Sequence, residues 1–169
     1  PYITFGNISI KEIYQISKEK RYSLKGVKNV GNWRSSISSF LGRLRWHCHF
    51  IQKLEDQPSI EWKNMSSSYD NIRDNDFNKE YFEAWVKGLT GYPFIDACMR
   101  CLRSTGYINF RMRAMLVSFA SYDLWLDWRI TSKYLATQFL DYEPGIHWSQ
   151  VSMQSGTTGI NTVRAYSIL

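Results

Sequence analysis

Residues 85–119 read WVKGLTGYPFIDACMRCLRSTGYINFRMRAMLVSF, and this stretch decides the fold. Pro93 suits a first helical turn, where its missing N–H is not needed and its φ is already helical. The run from Phe94 stops at Gly106, the residue type that best takes the left-handed C-terminal cap. A further helical run extends from about Asn109 to Asp127, and another covers 132–140. Upstream, KEIYQISKEK (11–20) reads as a short amphipathic helix and RYSLKGVKNVGN (21–32) as a polar, glycine-containing connection. The longest periodic run lies between Ser35 and Leu54. There Ile37, Phe40, Leu41, Leu44, Cys48, Ile51 and Leu54 recur three and four apart, which predicts a helix with one buried stripe. Serines, asparagines and Pro58 predict a long loop over 57–76. With no alternating strand pattern and no internal repeat, the predicted class is all-α.

Composition agrees with one folded unit. At 169 residues, 44% hydrophobic and 16% aromatic, the chain is rich enough to bury a core, which excludes disorder. Its net charge of +6 suits a polyanionic partner such as nucleic acid, although proteins that bind none often carry as much. No apolar run approaches the ~18 residues of a membrane span and no signal peptide is visible. Three cysteines, an odd number, argue for a reducing compartment. The expectation is a soluble cytoplasmic protein, nucleoid-associated if it binds DNA. The start at Pro1 and the end at YSIL suggest a piece of a longer protein, truncated at both ends.

The 85–119 stretch, followed by LWLDWR (124–129) and FLDYEPG (139–145), resembles the helical FAD-binding domain of the DNA photolyase and cryptochrome family. The shared pattern is Trp, Gly, Thr-Gly-Tyr-Pro, Asp-Ala, Met-Arg, Thr-Gly, Arg-x-Arg, Asp-Trp-Arg, in order and spacing over 85–143. The opening PYITFGNIS is similar to the family's Ser-Pro-Tyr-x-x-x-Gly-x-Ile-Ser. This resemblance implies one multi-helical domain over 1–169. It also implies that an α/β antenna domain, with its chromophore, and a phosphate-gripping loop lie upstream of Pro1.

The resemblance implies a set of site residues. Cofactor contacts would fall to His47, Phe110, Arg113, Asp141, Glu143 and His147, with Asp141 pairing with Arg113 across the flavin. Carboxylates accept hydrogen bonds from the N–H groups of such a cofactor. For Asp-x-Glu after a helix, simple capping is the alternative. His147 falls at the position facing flavin N5, where photolyases carry Asn and plant cryptochromes Asp. An ordinary histidine there would exchange a proton near neutral pH.

On the Ser35–Leu54 helix, Phe40, Arg43, Trp46, His47 and Phe50 share a face. The family has Trp, Glu, Trp and Arg at the positions of Phe40, Arg43, Trp46 and His47. Its aromatics stack a flipped pyrimidine dimer and its Glu bonds the base edges. A guanidinium only donates, so Arg43 does not replace that carboxylate in kind. It would serve catalysis with Trp46 and His147, bind phosphate, or belong to a solvated basic face. From Lys18 to Arg45 the basic residues face only one acid, Glu19, which fits either a DNA-tracking surface or plain solvation. Trp128 matches the middle member of the family's tryptophan relay, but Val151 and Met153 stand where other relay tryptophans are expected. Trp148, Trp125, Trp62 and Tyr142 offer other paths or are simply core. Cys98-x-x-Cys101 is read as buried small residues on a helix, not a metal site.

Two functions remain open on these residues. One is a light-driven lyase in which reduced FAD passes an electron to a pyrimidine dimer in DNA. The other is a blue-light photosensor without repair. A flavin-free helical scaffold is the plainest alternative.

Overall fold

The computed structural model describes residues 1–160, 162, 165 and 166; most of the terminal YSIL therefore lies outside the described residues. Seven α-helices carry the fold, and no strand occurs among the described residues. Nor is any described helix long and apolar enough to cross a membrane.

Helix α1 (Ile10–Ser23) begins where the Ser9 hydroxyl accepts from the Glu12 N–H at 3.1 Å, satisfying one of the orphan donors of the first turn. It packs Ile13 and Tyr14 on Ile37, Leu41 and Leu44 of α2 (Trp33–Asp56). The predicted 57–76 loop is pinned more firmly than its composition suggests. It contains two 3₁₀ turns, Pro58–Glu61 and Ser67–Tyr69, and fully buries Ile60. Asn64 donates to the Tyr69 carbonyl and to Asp70, and accepts from the Trp128 indole at 2.8 Å.

Helix α3 (Lys79–Lys87) was not legible from periodicity. It is capped by the Asn78 side chain and closed by left-handed Gly88. Helix α4 (Pro93–Thr105) starts and stops at the two predicted residues, with Gly106 at φ +69°. Of the two cysteines expected to be buried on it, the structure buries Cys98 but leaves Cys101 exposed. The predicted 109–127 helix is two pieces. Helix α5 (Phe110–Ser118) passes into a π-helical turn, Phe119–Asp123, and Asp127 instead caps α6 (Trp128–Gln138) by accepting from the Arg129 N–H.

The largest departure is at 139–150, which reads as an irregular stretch broken by Pro144 and Gly145. Helix α7 in fact runs Pro144–Gln154. Both breakers sit in its first turn, where proline costs nothing, and the Glu143 side chain supplies the cap. Helix α7 packs against α2, α5 and α6. The main core gathers Trp85, Ile95, Met99, Leu102, Leu116, Leu126, Leu135 and Trp148. Cavities therefore open along α7, where it faces α2 and α5.

Candidate cofactor and substrate cavities

Arg113 on α5 is held from three sides. Its Nε donates to the Ile108 carbonyl at 2.8 Å, and its two terminal nitrogens donate to Asp141 Oδ1 and Oδ2 at 2.9 and 3.0 Å. The guanidinium lies over Phe139, 4.3 Å from the ring centroid, and over Tyr107 at 5.2 Å. A bidentate charged fork of this kind fixes direction as well as distance. Pair and ring line a cavity of about 350 Å³, whose walls also include Ala114, Val117, Leu135 and Val151. That volume is in the range of small-molecule sites, about 300–1,000 Å³. Phe110, Glu143, His47 and His147 complete the predicted cofactor residues, and all of them line this one cavity.

Glu143 performs the capping role that the local sequence pattern suggested. Its Oε2 accepts from the Ile146 N–H at 2.9 Å, while Oε1 has no hydrogen-bond partner among the described residues. Capping and cavity lining are thus compatible in one carboxylate.

His147 does not behave as the near-neutral acid–base group expected of it. It is buried, ringed by Phe139, Tyr142 and Trp148, and its Nε2 lies 2.9 Å from the Ser132 carbonyl. A carbonyl only accepts, so Nε2 carries the proton and Nδ1 is the bare nitrogen of the neutral ring. Burial pushes its pKa down to about 4, the Ser132 carbonyl opposes this, and Arg113 adds to it. A shift of that direction and size has a stability consequence. Below about pH 6.5 the unfolded histidine takes up a proton that the folded one refuses, so stability falls as pH drops toward 4. At 1.36 kcal/mol per unit the loss approaches about 3 kcal/mol. Unfolding free energies from urea titrations at pH 7 and pH 4.5 should differ more for the native protein than for His147→Asn, by about 2 kcal/mol; parallel losses would mean that this ring titrates normally.

A second cavity, of about 800 Å³, lies against the first and shares His47, Phe110, Ile146, Gln150 and Gln154 with it. From α2 it receives Phe40, Arg43, Trp46 and Phe50, the face read from the sequence. Phe40 and Trp46 are exposed, at 44% and 54%, although Phe40 was also expected in the buried stripe. The Arg43 guanidinium lies 4.5 Å from the Trp46 ring centroid. His47 sits on the shared wall with its Nδ1 buried and unpartnered. Burial lowers its pKa, and the nearby Glu143 carboxylate works the other way.

Trp128 is buried with its indole on Asn64, and lines neither cavity. Trp148 also lines neither cavity, but its ring centroid lies 5.0 Å from that of His147, which lines the first. Gln150 and Gln154 were missed. Their signal was present as an i, i+4 pair, but it is readable only once Pro144 is accepted as a helix start.

A family model described as the FAD binding domain of DNA photolyase matches residues 40–169. This chain belongs to that family. Among its relatives, cryptochrome DASH from Natronomonas pharaonis is 32% identical over 99% of this chain and 34% of its own length. A deoxyribodipyrimidine photo-lyase from Neurospora crassa is 31% identical over 80% of this chain and 22% of its own. The crystal structure of an archaeal photolyase from Sulfolobus tokodaii with two FAD molecules superposes with a TM-score of 0.80 at 35% identity, covering 99% of this chain and 35% of that one. The chain thus spans between a fifth and about a third of these proteins. The cavity residues fit the family's cofactor. Asp141 and Glu143 offer acceptors for its N–H groups, Arg113 a donor, and most of the remaining lining is apolar.

Proposed function

We propose that this domain is the flavin-binding part of a light-driven DNA repair lyase acting on pyrimidine dimers. The observation that carries the reading is the shared wall. A cavity lined by the Arg113–Asp141 pair, Glu143 and mostly apolar side chains shares part of its lining with a larger cavity that receives Phe40, Trp46 and Phe50. Arg113, Asp141 and Glu143 would hold FAD, which, reduced and excited by light, would lend an electron to a dimer in the neighbouring cavity and recover it once the two pyrimidines have separated. This chain's residues do the rest. Arg113 and Asp141 orient the cofactor, Phe40 and Trp46 offer stacking faces to a dimer turned out of the duplex, and the basic residues from Lys18 to Arg45 follow the phosphate backbone. Electron resupply falls to the buried indoles Trp148 and Trp128.

The replacement of a base-reading carboxylate by Arg43, and of relay tryptophans by Val151 and Met153, favours a second reading, a blue-light sensor without repair. Stacking separates the two. On the lyase reading, Trp46→Ala retains flavin but loses about 1–3 kcal/mol of binding to a dimer-containing single strand, roughly five- to 150-fold in Kd. Equal affinity of native protein and variant for that strand would favour the sensor.

A further inference from the structure

The larger cavity contains no carboxylate among its described lining residues. A thymine in a dimer presents an imide edge, an N–H flanked by two carbonyls, and that N–H needs an acceptor. Arg43 only donates and is engaged on the Trp46 ring. We infer that Gln150 and Gln154 read the imide edges of the bound dimer, in place of the carboxylate that α2 lacks. The inference rests on the lyase reading above.

Three observations carry it. A primary amide sets one acceptor beside one donor in a plane, the complement of the N–H and carbonyl of an imide. Both amides are available: Gln150 makes only a weak 3.9 Å contact to the Met153 sulfur, and Gln154 makes no hydrogen bond among the described residues. Finally, they stand four residues apart on α7, about one turn, and both line both cavities. A dimer presents two imides; the helix offers two amides at the seam, next to the cofactor. The flavin has an imide edge too, so the same chemistry has two possible sources, which the experiment must separate.

The test measures binding of flavin-loaded protein to three single strands: undamaged, carrying a thymine dimer, and carrying the same dimer methylated at both N3 positions. Methylation removes the imide hydrogens and keeps both rings and all carbonyls. Native protein should bind the methylated dimer about tenfold more weakly than the plain one, since a good bidentate pair is worth about 1–3 kcal/mol and 1.4 kcal/mol is tenfold. The Gln150→Leu, Gln154→Leu double variant should retain flavin and bind both dimers equally, at the weaker level. Methylation without effect on the native protein would overturn the role of the amides, as would a double variant that loses flavin while methylation leaves dimer affinity unchanged, which would place them on the cofactor. No preference for the dimer over undamaged DNA would instead remove the lyase reading itself.

Discussion

Asp141→Ala is expected to release FAD and to lower stability by about 2–3 kcal/mol. Breaking a fully buried ion pair by removing one partner costs about 3–5 kcal/mol, because the remaining charge stays desolvated. Here the side chains of Arg113 and Asp141 keep 23% and 16% of their exposure, so water screens part of the loss. Arg113 would stay in place, held by the Ile108 carbonyl and by the rings of Phe139 and Tyr107. It would then present an uncompensated cation in the cavity proposed to hold the cofactor. The flavin-to-protein absorbance ratio after gel filtration, with a urea midpoint, measures both effects. A variant that keeps its flavin and its midpoint would show that the pair contributes to neither.

The second large effect is predicted for Gly145→Ala. A Cβ at Gly145 would come within 2.6 Å of Ile51 Cα and 3.0 Å of both Ile51 N and the Phe50 carbonyl oxygen. These are backbone atoms of α2, so no rotamer change relieves the clash. Helices α2 and α7 must separate, at about 3 kcal/mol, the upper part of the usual range for overpacking. Alanine's better helix propensity returns at most about 1 kcal/mol. Since α2 and α7 both line the larger cavity, loss of stability should be accompanied by weaker dimer binding. Gly42→Ala is the matched control. It lies inside α2 with nothing within 4 Å of the added atom and should stabilise by about 0.5–1 kcal/mol. If thermal melts show the two substitutions to be equivalent, the close approach of the helices at Gly145 is not real.

How far the site was legible depended on the kind of signal. Helix α4 could be bounded to the residue because Pro93 and Gly106 act locally, and the α2 face from Phe40 to Phe50 follows from 3.6-residue periodicity alone. Helix α7 was hidden because Pro144 and Gly145 read as breakers. Whether a proline ends or starts a helix depends on which side the cap lies, and that is settled by the Glu143 side chain folding forward onto the Ile146 N–H. Gln150 and Gln154 were hidden with it. Helix α3 is only nine residues long, too short for its period to stand out before Gly88. The chemistry of His147 was misjudged for a tertiary reason. Its burial among Phe139, Tyr142 and Trp148, and its bond to Ser132 from the adjoining helix α6, join residues that the sequence keeps apart. Motif and spacing located this histidine; only packing shows that it is neutral.

The most direct test of the account is to illuminate flavin-loaded, reduced protein with blue light in the presence of a single strand carrying one thymine dimer, and to count intact dimers over time by chromatography, with a dark control. The account predicts light-dependent conversion of dimers to adjacent thymines, absent in the dark and sharply reduced in Trp46→Ala. A protein that binds and photoreduces its flavin, yet leaves the dimer count unchanged under light, would contradict the lyase reading and favour the sensor.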